Sequence, residues 1–104
     1  MRALMIASTD YPDLRNFLAC AFHQDWEETA DTYERVVDID VAAEPASYLE
    51  QVARENAALL ASSATETEIA AWLTVIGVYV ILENEGYTPR SFIAMVGQRV
   101  RARG

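Results

Sequence analysis

Three prolines, Pro12, Pro45 and Pro89, each stand at the head of a stretch in which apolar residues recur every three or four positions. Proline suits the first turn of a helix, where its missing N–H is not needed, and disrupts a helix further in. This punctuation favours a series of short helices. The first is expected from about residue 12, with Leu14, Phe17, Leu18, Ala21 and Phe22 on one side. Asp10 is its candidate cap, and residues 23–26 are expected to close it. The second, over 29–43, carries a narrow apolar stripe of Ala30, Tyr33, Val37 and Val41 opposite an almost wholly acidic side. The third starts near Pro45, with Ser47 as candidate cap, and uses Tyr48, Leu49, Val52, Leu59 and Leu60 before stopping at Ser62 and Ser63. The fourth opens on Thr65 with Glu68 three residues on, the spacing of a capping box. Ile69, Trp72, Leu73 and Ile76 form its apolar face, and Gly77 is its expected stop. Thr88 is expected to cap the last helix, which runs from Pro89 to about 102 with Phe92, Ile93, Val96 and Val100 turned inward. Arg99, Arg101 and Arg103 suit its C-terminal end, where the helix dipole favours cations.

The expectation is an all-α fold: a compact bundle of about five helices joined by short loops, with 1–104 as a single domain. A chain of this length buries about 65% of its unfolded surface, enough for one core. The ambiguous apolar segment is 78–82, which is β-branched and aromatic. Its propensity favours a strand. A lone strand has nothing to pair with in a helical domain, so a continued helix or a buried extended loop competes with that reading.

Charge narrows the partner. The net charge is −8 and the pI about 4.4. Binding bare nucleic acid needs a basic patch, and an anionic membrane repels an acidic surface. A basic protein is the natural complement. The acids are concentrated in 25–44, where Asp25, Glu27, Glu28, Asp31, Glu34, Asp38, Asp40 and Glu44 face Arg35 alone, a net of −7. Past Gly86 the chain has four arginines and no acid. On a helix beginning near 29, Asp31, Glu34 and Asp38 share a face, with Glu27 and Glu28 beside its start. The bland reading is a solvated surface. The sharper one is a partner-binding surface of Glu27, Glu28, Asp31, Glu34 and Asp38. Like charges one turn apart, as at Glu34 and Asp38, weaken a helix slightly, and electrostatic steering towards a basic partner would offset that. The arginine-rich end could instead neutralise the acidic face internally.

No recognised catalytic constellation is present. His23, the single histidine, could act as a general base with a nearby carboxylate, but a structural role at a helix end, bonded to a carbonyl, is the favoured reading. No cofactor and no metal are expected: the four glycines are scattered, and zinc needs a cluster where this chain has one cysteine and one histidine. Cys20 sits among apolar residues and reads as a small buried hydrophobe that fits a reducing compartment. The apolar 1–8 stretch is too short for a signal peptide, and the 75–82 run too short for a membrane helix. A cytoplasmic protein is expected.

Tyr11, Pro12, Leu14, Phe17 and Leu18, followed by Phe22, His23, Gln24, Asp25 and Trp26, form a more specific pattern. It resembles the N-terminal motif of a helical family of contact-dependent growth inhibition immunity proteins. Leu59 and Leu60, the Glu68, Trp72 and Leu73 helix with Gly77, and the closing Phe92, Val96 and Val100 are similar too. Segment 78–82 departs from it, being more uniformly apolar than the loop expected there. The resemblance implies an immunity protein that binds the toxic C-terminal domain of a delivered effector, often a nuclease, inside the producing cell. Masking needs affinity, not chemistry. When free, such a chain is expected to be a monomer or weak dimer. Phe22 and Trp26, four residues apart, can pack together, so the motif reads as scaffold more than as toxin contact. From the residues alone the alternative is a small acidic regulatory or scaffolding protein, self-associating through 78–82 or binding another basic protein.

Overall fold

The computed structural model describes residues 6–103. Most of the apolar 1–8 stretch and the side chain of Arg103 lie outside the described residues. Five helices follow one another: α1 Pro12–Ala21, α2 Tyr33–Ala43, α3 Ala46–Ala61, α4 Glu66–Val75 and α5 Pro89–Arg103. Two short 3₁₀ turns, Trp26–Glu28 and Leu82–Glu85, interrupt the connections. The described residues contain no strand, and the chain is an all-α bundle. Its radius of gyration, 12.9 Å, is that of a folded globule of this length.

The apolar stripes form one core. Leu14, Phe17, Leu18, Ala21 and Phe22 are all buried, as are Ile69, Trp72, Leu73 and Ile76, and Phe92, Ile93, Val96 and Val100. Helix α5 is the centre of the bundle, packing on α2, α3 and α4, while α1 closes against α2 and α3. Each helix has an identifiable reason to start. Thr65 and Glu68 form the expected reciprocal capping box of α4. Thr88 Oγ1 accepts the Ser91 N–H at 3.1 Å and Ser91 Oγ accepts the Thr88 N–H at 2.9 Å, fixing the head of α5. Helix α4 ends as its sequence predicts. Gly77 takes φ +90°, Val78 N–H reaches Leu73 O at 3.0 Å, and Gly77 N–H reaches Thr74 O at 3.2 Å, the paired bonds of a Schellman cap.

Other local expectations are corrected. Asp10 does not cap α1; its carboxylate accepts the Ala7 N–H in a turn further upstream. The cap position is Tyr11 at φ +53°, whose side chain makes no cap hydrogen bond but meets Trp72 edge-on at 6.0 Å. The missing cap comes from another helix: Glu55 Oε1 of α3 accepts the N–H groups of Asp13 and Leu14 at 2.8 and 2.9 Å. A carboxylate there satisfies two orphan donors and meets the positive end of the helix dipole. Ser47 does not cap α3, because Pro45 holds the cap position and Ser47 lies inside the first turn. Helix α2 begins at Tyr33, four residues later than expected, because Thr32, not Thr29, accepts the N–H of the third helical residue, Arg35. Cys20 is exposed rather than buried.

Arg90 ties three elements together. Its guanidinium donates to Leu60 O in the last turn of α3 and to Ala64 O in the connection to α4, both at 2.6 Å. Its own N–H donates to Glu66 Oε1 at 2.8 Å, at the head of α4. The cation thus sits where the last carbonyls of α3 need donors.

Candidate protein-binding surface

Segment 78–81 adopts the extended-loop alternative and ends at Ile81 with φ −118° and ψ 93°. Its side chains alternate: Val78 is buried and Val80 half-buried, while Tyr79 and Ile81 are exposed. An irregular backbone against a core must find partners for its polar groups. Here they come from far along the chain. Tyr79 N–H donates to Phe22 O at 2.9 Å, and the Trp26 indole N–H donates to Tyr79 O. The Tyr33 hydroxyl accepts the Ile81 N–H at 3.0 Å and donates to Ile81 O at 3.1 Å. The segment is therefore stapled at both exposed residues.

Those staples belong to an aromatic cluster. Phe22 meets Trp26 edge-on at 6.1 Å, Tyr33 at 5.6 Å and Phe92 at 5.2 Å, and Tyr87 stacks on Tyr33 at 6.1 Å. The Phe22–Trp26 pairing expected from their spacing is present, and Leu14, Phe17 and Leu18 of the same motif are core residues. His23 is exposed; its Nδ1 accepts the Asp25 N–H at 3.0 Å, so it shapes the turn by accepting an amide rather than by bonding a carbonyl.

A groove of about 640 Å³ opens along this segment, lined among others by Trp26, Glu27, Asp31, Tyr79, Ile81 and Glu85. A second, of about 380 Å³, shares Val78 and Val80 and reaches Leu73, Leu82 and Tyr87 between α4 and the head of α5. The carboxylates reach beyond their own helix. Burial raises the Tyr33 phenol above its ordinary range, and Glu85, Glu27 and Glu83 add to that rise against the opposing bond to Ile81. The negative charge felt at this hydroxyl thus comes from two separate turns.

The five acids singled out in the sequence divide between two settings. Glu27, Glu28 and Asp31 are exposed around the 26–28 turn, ahead of α2, with Glu27 and Asp31 on the groove. Asp31 therefore does not share a helical face with Glu34 and Asp38. Those two lie on α2, and both have partners within the chain. Asp38 pairs with Arg99 of α5 at 2.7 Å. Glu34 accepts the Tyr87 hydroxyl, and that bond, with burial opposing it, lowers its carboxyl below the usual range. The arginine-rich end does neutralise part of the acidic face, at one position. Sequence reasoning missed Glu83 and Glu85 as groove residues and reached Tyr79 and Ile81 only within 78–82 as a self-association patch; the signal was the exposed side of an alternating apolar run followed by acids.

Among the described residues no group of three or more histidine, cysteine or carboxylate side chains is placed to hold a metal ion. None of the described helices is long and apolar enough to cross a membrane. An all-helical bundle presenting an acidic groove beside exposed apolar side chains has the build of a protein-binding module. Residues 10–100 match the family model described as CdiI immunity protein, so the chain belongs to the CdiI immunity protein family. No match was found among curated proteins or solved structures. The family gives the coarse role: a toxin-neutralising immunity protein with a cognate toxin as partner, in a family that is generally non-enzymatic.

Proposed function

We propose that this chain protects the producing cell by masking the toxin domain of a contact-dependent growth inhibition effector, and that this toxin is a nuclease. The whole chain acts as one domain, in the cytoplasm, monomeric or weakly dimeric until it meets the toxin. The family match over residues 10–100 carries the reading. Charge supports the nuclease: a cleft that binds phosphates is lined by cations, and the segment 25–44 carries a net of −7. Glu27, Glu28, Asp31, Glu34 and Asp38 form the proposed acidic contact, the first three with unpaired side chains among the described residues and the last two braced by Tyr87 and Arg99.

The test has two steps. Expression of the cognate toxin domain is expected to be lethal alone and tolerated with the chain. Glu27→Lys with Asp31→Lys is then expected to slow association about tenfold or more at low salt and to flatten its salt dependence. Failure to rescue would sink the reading. Unchanged association at both salt concentrations would remove these acids from the interface.

A further inference from the structure

We infer that Tyr79 and Ile81 are the apolar anchors of the toxin interface, and that they fit a toxin surface presenting apolar side chains ringed by arginine or lysine. The inference rests on the toxin-binding reading above and names the part of the surface that carries affinity.

Four large apolar side chains are exposed among the described residues: Ile39 at 38%, Val75 at 64%, Tyr79 at 56% and Ile81 at 60%. Scattered single exposures need no explanation, whereas a cluster marks an interaction site. Three of these four fall within seven residues of chain. The fold has no need of them. Val78, Val80 and Leu82 supply the inward side of the segment, so polar residues at 79 and 81 would leave that packing intact.

Nor is the exposure that of a slack loop. The backbone at Tyr79 is bonded to Phe22 and Trp26, and the backbone at Ile81 is bonded twice to the Tyr33 hydroxyl. A side chain held in place before binding loses little freedom on binding, which is how preorganised contacts gain affinity. Tyrosine is also a favoured interface anchor, with a rigid apolar ring and a polar tip.

The rim selects the occupant. Glu27, Asp31 and Glu85 line the same groove as Tyr79 and Ile81. A second copy of this chain would bring carboxylates against carboxylates. A cationic partner would place its charges on that rim and its apolar residues on the anchors, with steering from the one and slow dissociation from the other.

The test measures binding of the full chain to its cognate toxin domain, by biolayer interferometry, with sizing and melting curves on each variant. Tyr79→Ser and Ile81→Ser are each expected to raise Kd roughly thirtyfold or more, chiefly through faster dissociation, without lowering the melting temperature. Ile39→Ser, exposed elsewhere on α2, is expected to leave binding unchanged. Tyr33→Phe keeps the ring but removes both bonds to Ile81. As a positioning variant it is expected to speed both dissociation and amide exchange at Ile81. Wild-type dissociation rates in folded Tyr79→Ser and Ile81→Ser, or an equal loss in Ile39→Ser, would overturn the inference while leaving toxin binding intact. A free dimer dissolved by Tyr79→Ser would overturn it in favour of a second copy. Absence of toxin binding by the unaltered chain would instead remove the reading beneath it.

Discussion

The hydrogen bond from Tyr87 to Glu34 shows how one residue can be misjudged when charge alone is counted. By sequence, Glu34 is one more acid on an acidic helix. In the fold it accepts a phenol from just ahead of α5, and its carboxyl is held below its usual range mainly by that bond, with burial opposing. Tyr87 is pushed up to about 12, first by burial and then by the same bond. The partners shift unequally because burial and the bond act together on the phenol but oppose each other on the carboxylate. The linkage signs follow. A carboxyl with a lowered folded value stabilises above its unfolded value near 4.5, and that contribution fades as pH falls through the folded value. A phenol with a raised folded value stabilises below its unfolded value of 10.0, and that contribution is lost as pH rises from there towards about 12. Tyr87→Phe is therefore expected to flatten the stability profile on both flanks. Urea melts at pH 3–5 and 9–11.5 check this, and an unchanged alkaline flank would contradict it.

Among the elements, the helix faces were legible because burial follows a local period, and Leu14, Phe17, Leu18, Ala21 and Phe22 needed no tertiary information to be assigned inward. The stop at Gly77 was legible too, because glycine is the residue that takes the positive φ a helix end often needs, here 90°. What local pattern could not encode is supplied from a distance. The cap of α1 comes from Glu55, forty-odd residues away. The staples of 78–81 come from residues 48 and 53 positions earlier, which is why propensity alone left strand, helix and loop in competition there. The same holds for the α3–α5 contact. Asn56, which reads as a polar residue on an amphipathic helix, is fully buried, and its Nδ2 donates to Ile93 O at 2.9 Å. Its amide lies directly over Gly97, where an added Cβ would stand 2.8 Å from Asn56 Cγ. Gly97→Ala is thus expected to force α3 and α5 apart and cost about 2 kcal/mol, a fall of roughly 10 °C in Tm. Thermal melts check it; a variant as stable as the parent would mean that the amide can withdraw.

For the whole molecule, the excess of acid weighs against stability. At a net charge of −8, self-repulsion opposes the compact state, and Arg99–Asp38 is the single side-chain ion pair found among the described residues. That pair is exposed and contributes little. Glu28 and Asp31 have no ion-pair or side-chain hydrogen-bond partner there. Glu28→Gln with Asp31→Asn is expected to leave the fold as stable or more so, by up to about 0.5 kcal/mol or roughly 3 °C, while slowing toxin association. A lower Tm in that variant would show that these carboxylates serve the fold. The placement of the two tryptophans has an optical consequence. Trp72 is sealed in the core at 1% exposure, whereas Trp26 is half-buried on the groove and bonded to Tyr79 O. Occupying the groove would dry Trp26 and shift its fluorescence to the blue, while Trp72 keeps its emission. The molecule would then carry both an indicator of its own engagement and a steady internal standard, with no label attached.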